Sequence, residues 1–255
     1  MRKNVLKGWR PLLVLILFFV VWELTVKYFR IETWLLPAPT AILEEASTSL
    51  PDFWPHMLAT IQLSAAGFAA GCVVGILVAV TLHMLPRVRE AFYPLLILSQ
   101  NIPIIVLAPL LVIWFGFGML PKLIVITLVC FFPVAVALLD GFRQTPRELY
   151  HYMRMAGATK SQLFFKLEWP NSLPSLFSGL KISATYSVMG AVISEWLGAQ
   201  EGIGVYMTLA SSSFQTSRVF VAILAVMVLS LGFFLIIWLL QRVIIKWQVD
   251  KEDGR

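Results

Sequence analysis

Side chains able to do chemistry are sparse in this sequence and widely spaced. The three histidines, His56, His83 and His151, lie far apart, and Cys72 and Cys130 each sit inside an apolar run with no CxxC or histidine spacing nearby. Buried thiols, rather than a disulfide or a metal site, fit that setting. No GxxxxGK[ST] phosphate loop and no HExxH pair occurs, so no ATPase or metallohydrolase centre is expected, and no cofactor. What remains are polar groups inside greasy stretches. SQNIPIIVLAP places Gln100 and Asn101 beside Pro103, with Pro109 further on. A proline removes a backbone donor, so the helix bends or breaks there, and the freed groups need protein or a water-filled path beside them. Gln100, Asn101 and Pro103 are therefore candidate pore residues, with interhelical hydrogen bonding as the alternative. Glu195, in ISEWLGAQEGIG, is the fourth candidate: it meets a solute or gate, or it accepts hydrogen bonds from the turn that follows it.

The elements that position these groups are set by composition. With 59% hydrophobic and 13% charged residues and a mean hydropathy of +0.82, the chain holds more apolar surface than a water-soluble domain buries, and it reads as an all-α integral membrane protein. The net charge of +6 is scattered between apolar spans, which fits membrane orientation and not nucleic acid. A spanning helix needs roughly 20 apolar residues. Uncharged runs place six, at about 11–29, 57–85, 91–113, 119–140, 173–197 and 219–243, within one domain covering 1–255. Glu23 and Lys27 form a favourable i,i+4 pair in the first, and Lys181 snorkels in the fifth. The basic N-terminus is not followed by a small-residue cleavage pattern, so the first span is expected to be retained. Of the 20 Lys and Arg residues, four, Lys27, Arg30, Lys122 and Arg218, fall outside if both termini are cytoplasmic, and the positive-inside bias favours that orientation. Gly67, Gly71 and Gly75 make a small-xxx-small stripe for close helix packing, and PAPTAILEEA predicts a turn and a short helix at the membrane surface.

The largest cytoplasmic segment, 141–172, is GFRQTPRELYHYMRMAGATKSQLFFKLEWPNS. Gly157 interrupts a helical pattern over 146–156. Thr159 with Gln162 forms a capping box for a second helix, whose apolar face carries Leu163, Phe164 and Leu167 and which Pro170 is expected to end. Helix, glycine turn, short helix and proline stop predict a compact projecting knob.

The spacing Gly157, nine residues, Leu167, one residue, Trp169, Pro170 resembles the EAA loop of bacterial ABC-importer permeases, the binding-protein-dependent transport inner-membrane family. LLPAPTAIL, IPIIVLAPLLVIWFGFG and SEWLGAQEGIGVYM are similar, in order and spacing, to segments of its nitrate, sulfonate and taurine subgroup, so the likeness covers nearly the whole chain. It implies the type I importer permease fold with six transmembrane helices in the bacterial inner membrane. It also implies a homodimer, two ATP-binding ABC subunits below, an extracytoplasmic substrate-binding protein above, and ATP hydrolysis on a separate subunit. The chain's own contacts are then with protein, solute and membrane lipid, with no nucleic acid. Among such permeases the string most resembles those for thiamine pyrimidine precursors such as formylaminopyrimidine, with sulfonate, taurine or nitrate import next.

The resemblance makes 141–172 the coupling loop that docks on the ATPase, with Gly157, Ala158, Leu163, Phe164 and Pro170 as transmitting residues, the glycine permitting the turn and the apolar pair supplying docking surface. The motif's glutamate and two alanines fall on His151, Tyr152 and Met153. Glu148, one turn earlier on the same face, is expected to replace the lost carboxylate, and His151 to stand at its position. The competing class is a self-sufficient secondary carrier or channel in which 155–174 is only an interfacial amphipathic helix.

Overall fold

The computed structural model describes residues 5–246. The N-terminal MRKN and the tail beyond 246, which enter the positive-inside argument, lie outside the described residues. Eleven α-helices follow in chain order: α1 (Val5–Tyr28), α2 (Pro39–Thr48), α3 (Leu50–Met84), α4 (Pro86–Ser99), α5 (Ile104–Phe115), α6 (Met119–Arg143), α7 (Arg147–Met155), α8 (Lys160–Leu163), α9 (Trp169–Glu195), α10 (Ile203–Ser212) and α11 (Thr216–Ile244), with a π-helical turn at Phe164–Glu168. Among the described residues five helical stretches are long and apolar enough to cross a membrane, or six if α4 and α5, which meet at a 99° bend, count as one bent span. Backbone groups satisfied within helices are what a bilayer demands.

The break in that bent span lies at residues 100–103, where the sequence concentrates polar groups before Pro103. The proline cannot donate to the carbonyl of Ser99, and it excludes Ile102 from helical geometry. Pro103 instead caps α5 in extended conformation, φ −62° and ψ 120°. Pro109 remains inside α5.

The core is a three-helix unit of α3, α6 and α9. The small stripe of α3 lies directly on α6: a Cβ on Gly67 would stand 2.4 Å from Ile126, one on Gly71 2.4 Å from the Cβ of Cys130, and one on Gly75 2.8 Å from the Phe131 carbonyl. Close backbone approach of this kind supplies van der Waals contact where no hydrophobic driving force between helices exists. On the other flank of α6, a Cβ on Gly179 of α9 would meet the Pro133 carbonyl at 2.6 Å. Ile126, Leu138, Val134 and Val188 fill the seams and are fully buried.

The first span stands at the periphery, exposed along most of its length. Trp22 packs against Phe220 of α11, ring centres 5.5 Å apart. Glu23, besides its pair with Lys27 at 2.7 Å, accepts from the Thr40 hydroxyl at 2.7 Å and the Thr40 backbone at 3.1 Å. The i,i+4 pair therefore also ties α1 to α2.

The knob differs from expectation at its end. Pro170 does not stop the helix: α8, the π turn and α9 form one helical path from Lys160 to Glu195. The extra residue in the π turn shifts the hydrogen-bond register, with the Trp169 N–H donating to the Phe164 carbonyl. Pro170 then sits in the first turn of α9, where a missing N–H costs nothing. The knob is continuous with the fifth span.

Candidate functional site

Most of the polar and exposed groups singled out above fall in two regions, the knob and a groove beside the break between α4 and α5. In the knob, α7 ends as Gly157 adopts φ +85°. The Gly157 N–H donates to the Arg154 carbonyl at 3.1 Å and the Ala158 N–H to the Met153 carbonyl at 3.0 Å, the paired bonds of a glycine-terminated helix. Thr159 then opens α8. Its hydroxyl accepts from the Gln162 N–H at 3.3 Å, and the Gln162 side chain accepts from the Thr159 N–H at 2.8 Å, as the capping-box spacing predicts.

Leu163 and Phe164 face inward, 3% and 6% exposed, among the chain's own helices. They are not docking surface, because the register of the helix points them at the end of α6, where Phe164 meets Phe142 at 5.7 Å and Trp169 at 6.0 Å. The large apolar side chains left outside are Leu149, Tyr152, Met155 and Phe165, at 50%, 68%, 83% and 65% exposure. An apolar spacing in the sequence marks a buried face without saying whether the cover is a partner or the chain itself. Glu148 and His151 are exposed on α7, and Pro170 is half-buried.

The groove has a volume of about 880 Å³ and runs along α5, α6 and α9 at the break. Ser99, at the end of α4, and Gln100, in the break, bring polar groups to it; α6 contributes Phe132 and the Asp140 carboxylate, and α9 contributes Tyr186 and Met189. Asn101 turns away and donates its side-chain amide to the Ile97 carbonyl at 3.1 Å. Asn101, Pro103 and Glu195 are outside the walls. The polar string thus contributes one side chain to the groove from the three expected, and Phe132, Asp140 and Tyr186 are wall residues that apolar spans hid.

Glu195 lies elsewhere, 2% exposed at the end of α9. Its carboxylate accepts from the Thr60 hydroxyl at 2.7 Å and from the Gly204 N–H at 2.8 Å. Thr60 in turn accepts from the Ile203 N–H at 2.8 Å, and His56 Nδ1 from the Gly202 N–H at 3.1 Å. Gly202, at φ +133°, has no room for a side chain: its Cβ would stand 2.2 Å from the Glu195 carboxyl. One carboxylate, one hydroxyl and one imidazole of α3 and α9 therefore satisfy the first N–H groups of α10, which no helix satisfies for itself. Glu195 thus accepts a hydrogen bond from the turn that follows it.

Comparison with known proteins accords with this architecture. Residues 71–246 match the family described as binding-protein-dependent transport system inner membrane component. The chain is 36% identical over 241 residues to the formylaminopyrimidine transport permease ThiX of Halalkalibacterium halodurans, covering 93% of this chain and 95% of that one. It is 29% identical to the riboflavin transport system permease RibX of Chloroflexus aurantiacus, covering 92% and 89%. With the taurine transport permease TauC of Escherichia coli the identity is 26%, covering 91% and 87%. Among solved structures, an inward-facing MetNI methionine ABC transporter matches with a TM-score of 0.60 and 18% identity, over 73% of this chain and 96% of that chain. That likeness is one of fold.

Proposed function

The chain belongs to the family of binding-protein-dependent transport system inner membrane components, and from that premise we propose that two copies form the pathway of an importer for a thiamine pyrimidine precursor such as formylaminopyrimidine. Membership makes it the multi-pass permease component of an ABC importer, working with an ATP-binding subunit and a substrate-binding protein. The groove is one subunit's half of the pathway, and its chemistry carries the substrate reading. Its walls offer aromatic faces from Phe132 and Tyr186, the Gln100 amide and a single carboxylate, Asp140, with no basic side chain. A neutral, hydrogen-bonding heterocycle fits those walls, since flat rings stack on aromatic faces and amides pair with ring nitrogens. A sulfonate finds no cation among the wall residues, and Arg143, beside the wall, is already paired with Asp140 at 3.4 Å.

In this reading both termini and the knob face the cytoplasm of a bacterial inner membrane. Tyr152, Met155 and Phe165 cover the ATP-binding subunit, Glu148 supplies the missing acid, and His151 occupies that acid's place. Co-purification with the ATP-binding subunit tests the docking, and Glu148→Ala is expected to weaken it. The substrate is tested by thermal unfolding of the partner binding protein. Formylaminopyrimidine is expected to raise its Tm, whereas a rise with taurine, nitrate or riboflavin alone would overturn the assignment.

Gly157 provides a separate check. Its φ of +85° is strained for any β-branched residue, although no atom lies within 4 Å of where a Cβ would stand. Gly157→Val therefore costs about 1–2 kcal/mol of local geometry without a clash. The expected result is normal membrane insertion with ATP hydrolysis uncoupled from uptake, read as a several-fold rise in ATP consumed per solute imported.

A further inference from the structure

His83 lies in the last turn of α3, and its Nε2 stands 3.0 Å from Oε2 of Glu168 in the π turn. The two side chains are 17% and 16% exposed. The imidazole also stacks on Phe142 at the end of α6, ring centres 4.2 Å apart and planes 22° from parallel. Phe164 and Trp169 close the same cluster. These contacts join the root of the knob to the ends of two core helices at once.

We propose that the His83–Glu168 pair is the joint through which the knob moves α3, which makes both residues positioning residues for transport. The inference rests on the importer reading. Helix α3 is suited to such a role. It runs unbroken for 35 residues, and about 40 Å of helix separates His83 from His56, at 1.5 Å per residue. Its glycine stripe leaves no space against α6, so the two helices move as one body. At its far end His56 and Thr60 hold the first turn of α10. A displacement at the knob therefore reaches α10 through packed and hydrogen-bonded contacts at both ends of a stiff element. The π turn carries Glu168 within the same helical path as the exposed Phe165. Force on the docking face consequently acts one turn from the joint.

The test uses the full complex of permease and ATP-binding subunit in lipid nanodiscs. A cysteine replaces Leu209, an exposed residue of α10, and its alkylation rate is measured with and without a non-hydrolysable ATP analogue. In the parent the rate is expected to change at least fivefold. His83→Phe keeps a ring on Phe142 and removes the hydrogen bond, and Glu168→Ala removes it from the other side. Both should abolish the change, while Glu168→Gln, which still accepts from His83, should retain it. A full response in His83→Phe, or none in the parent, would overturn the joint. Loss of the response in Glu168→Gln with retention in Glu168→Ala would do the same. If no ATP-binding subunit accompanies the purified permease, the importer reading itself fails and the joint with it.

Discussion

Glu195→Ala is expected to lower the apparent Tm of the purified permease by on the order of 10 °C and to cut the amount that survives extraction from the membrane. The carboxylate accepts from two donors at 2.7 and 2.8 Å and is 2% exposed. Alanine leaves the Gly204 N–H with no acceptor in a site that water does not reach, at about 1–3 kcal/mol for the unpaired group. It also leaves the volume of a carboxymethyl group empty, which adds about 1–3 kcal/mol more if the site does not collapse. The Thr60 hydroxyl suffers less, because the His56 carbonyl lies 3.1 Å away and can take its proton. The sum, roughly 2–6 kcal/mol, corresponds to the expected shift for a chain of this length. Glu195→Gln separates this account from one that needs a carboxylate. The amide oxygen can accept from Gly204 while the amide nitrogen donates to Thr60, whose proton then turns to the His56 carbonyl. Its Tm should stay within a few degrees of the parent, and both variants are read by fluorescence-detected thermal unfolding in detergent. A parent-like Tm in Glu195→Ala would mean that α10 is held by its packing alone.

Several features were legible because they depend on neighbours in sequence. Uncharged runs marked the long apolar helices, since a charge within a bilayer is expensive wherever the rest of the fold lies. Pro103 after two polar residues announced the break, a local consequence of one missing donor. Thr159 and Gln162 announced the cap, and Gly157 the turn before it. Features that depend on distant residues stayed hidden. Glu195 meets Thr60, 135 positions away, and His83 meets Glu168, 85 positions away. Leu163 and Phe164 show the limit most clearly: their spacing marks an apolar face, yet only the position of Phe142 says that this face turns into the chain. Pro170 misled for a related reason. A proline stops a regular α-helix, but a π turn ahead of it supplies the register in which its missing N–H is not needed.

The groove teaches a complementary lesson. Gln100 was visible because an amide in an apolar string stands out, whereas Phe132 and Tyr186 were indistinguishable from lipid-facing aromatics until α6 and α9 were seen to converge on the break. Most of the groove's wall is made of residues that look like membrane filler in the sequence. The acid that would have drawn attention, Glu195, is used to hold the backbone of α10, where a buried N–H group has no water to turn to.

The second large effect concerns the seam between α3 and α6. Gly71→Ala adds a single methyl group, yet that atom would stand 2.4 Å from the Cβ of Cys130 and 3.1 Å from the Thr127 carbonyl. Neither neighbour can rotate aside, because a Cβ and a carbonyl are fixed by the backbone that carries them. The helices must separate, and the contacts made by Gly67 and Gly75 on the same stripe are lost together. A cost above about 3 kcal/mol is expected, at the upper end of overpacking effects, read as failure to accumulate in the membrane or a Tm lowered by more than 5 °C. Gly232→Ala, on α11 with nothing within 4 Å of the added atom, should leave Tm unchanged or slightly raised, since alanine favours the helix. Adding Cys130→Gly to Gly71→Ala removes the opposing Cβ and restores the space from the other side. The double variant should therefore recover part of the lost stability despite the second glycine's own cost of about 1 kcal/mol in a helix and the loss of the buried Cys130 thiol. Recovery of this kind distinguishes a steric seam from an effect of Gly71 on α3 alone. If the double variant is less stable than Gly71→Ala, the close approach of α3 to α6 at Cys130 is not what Gly71 serves, and the single rigid body that carries the knob's motion to α10 loses its main support.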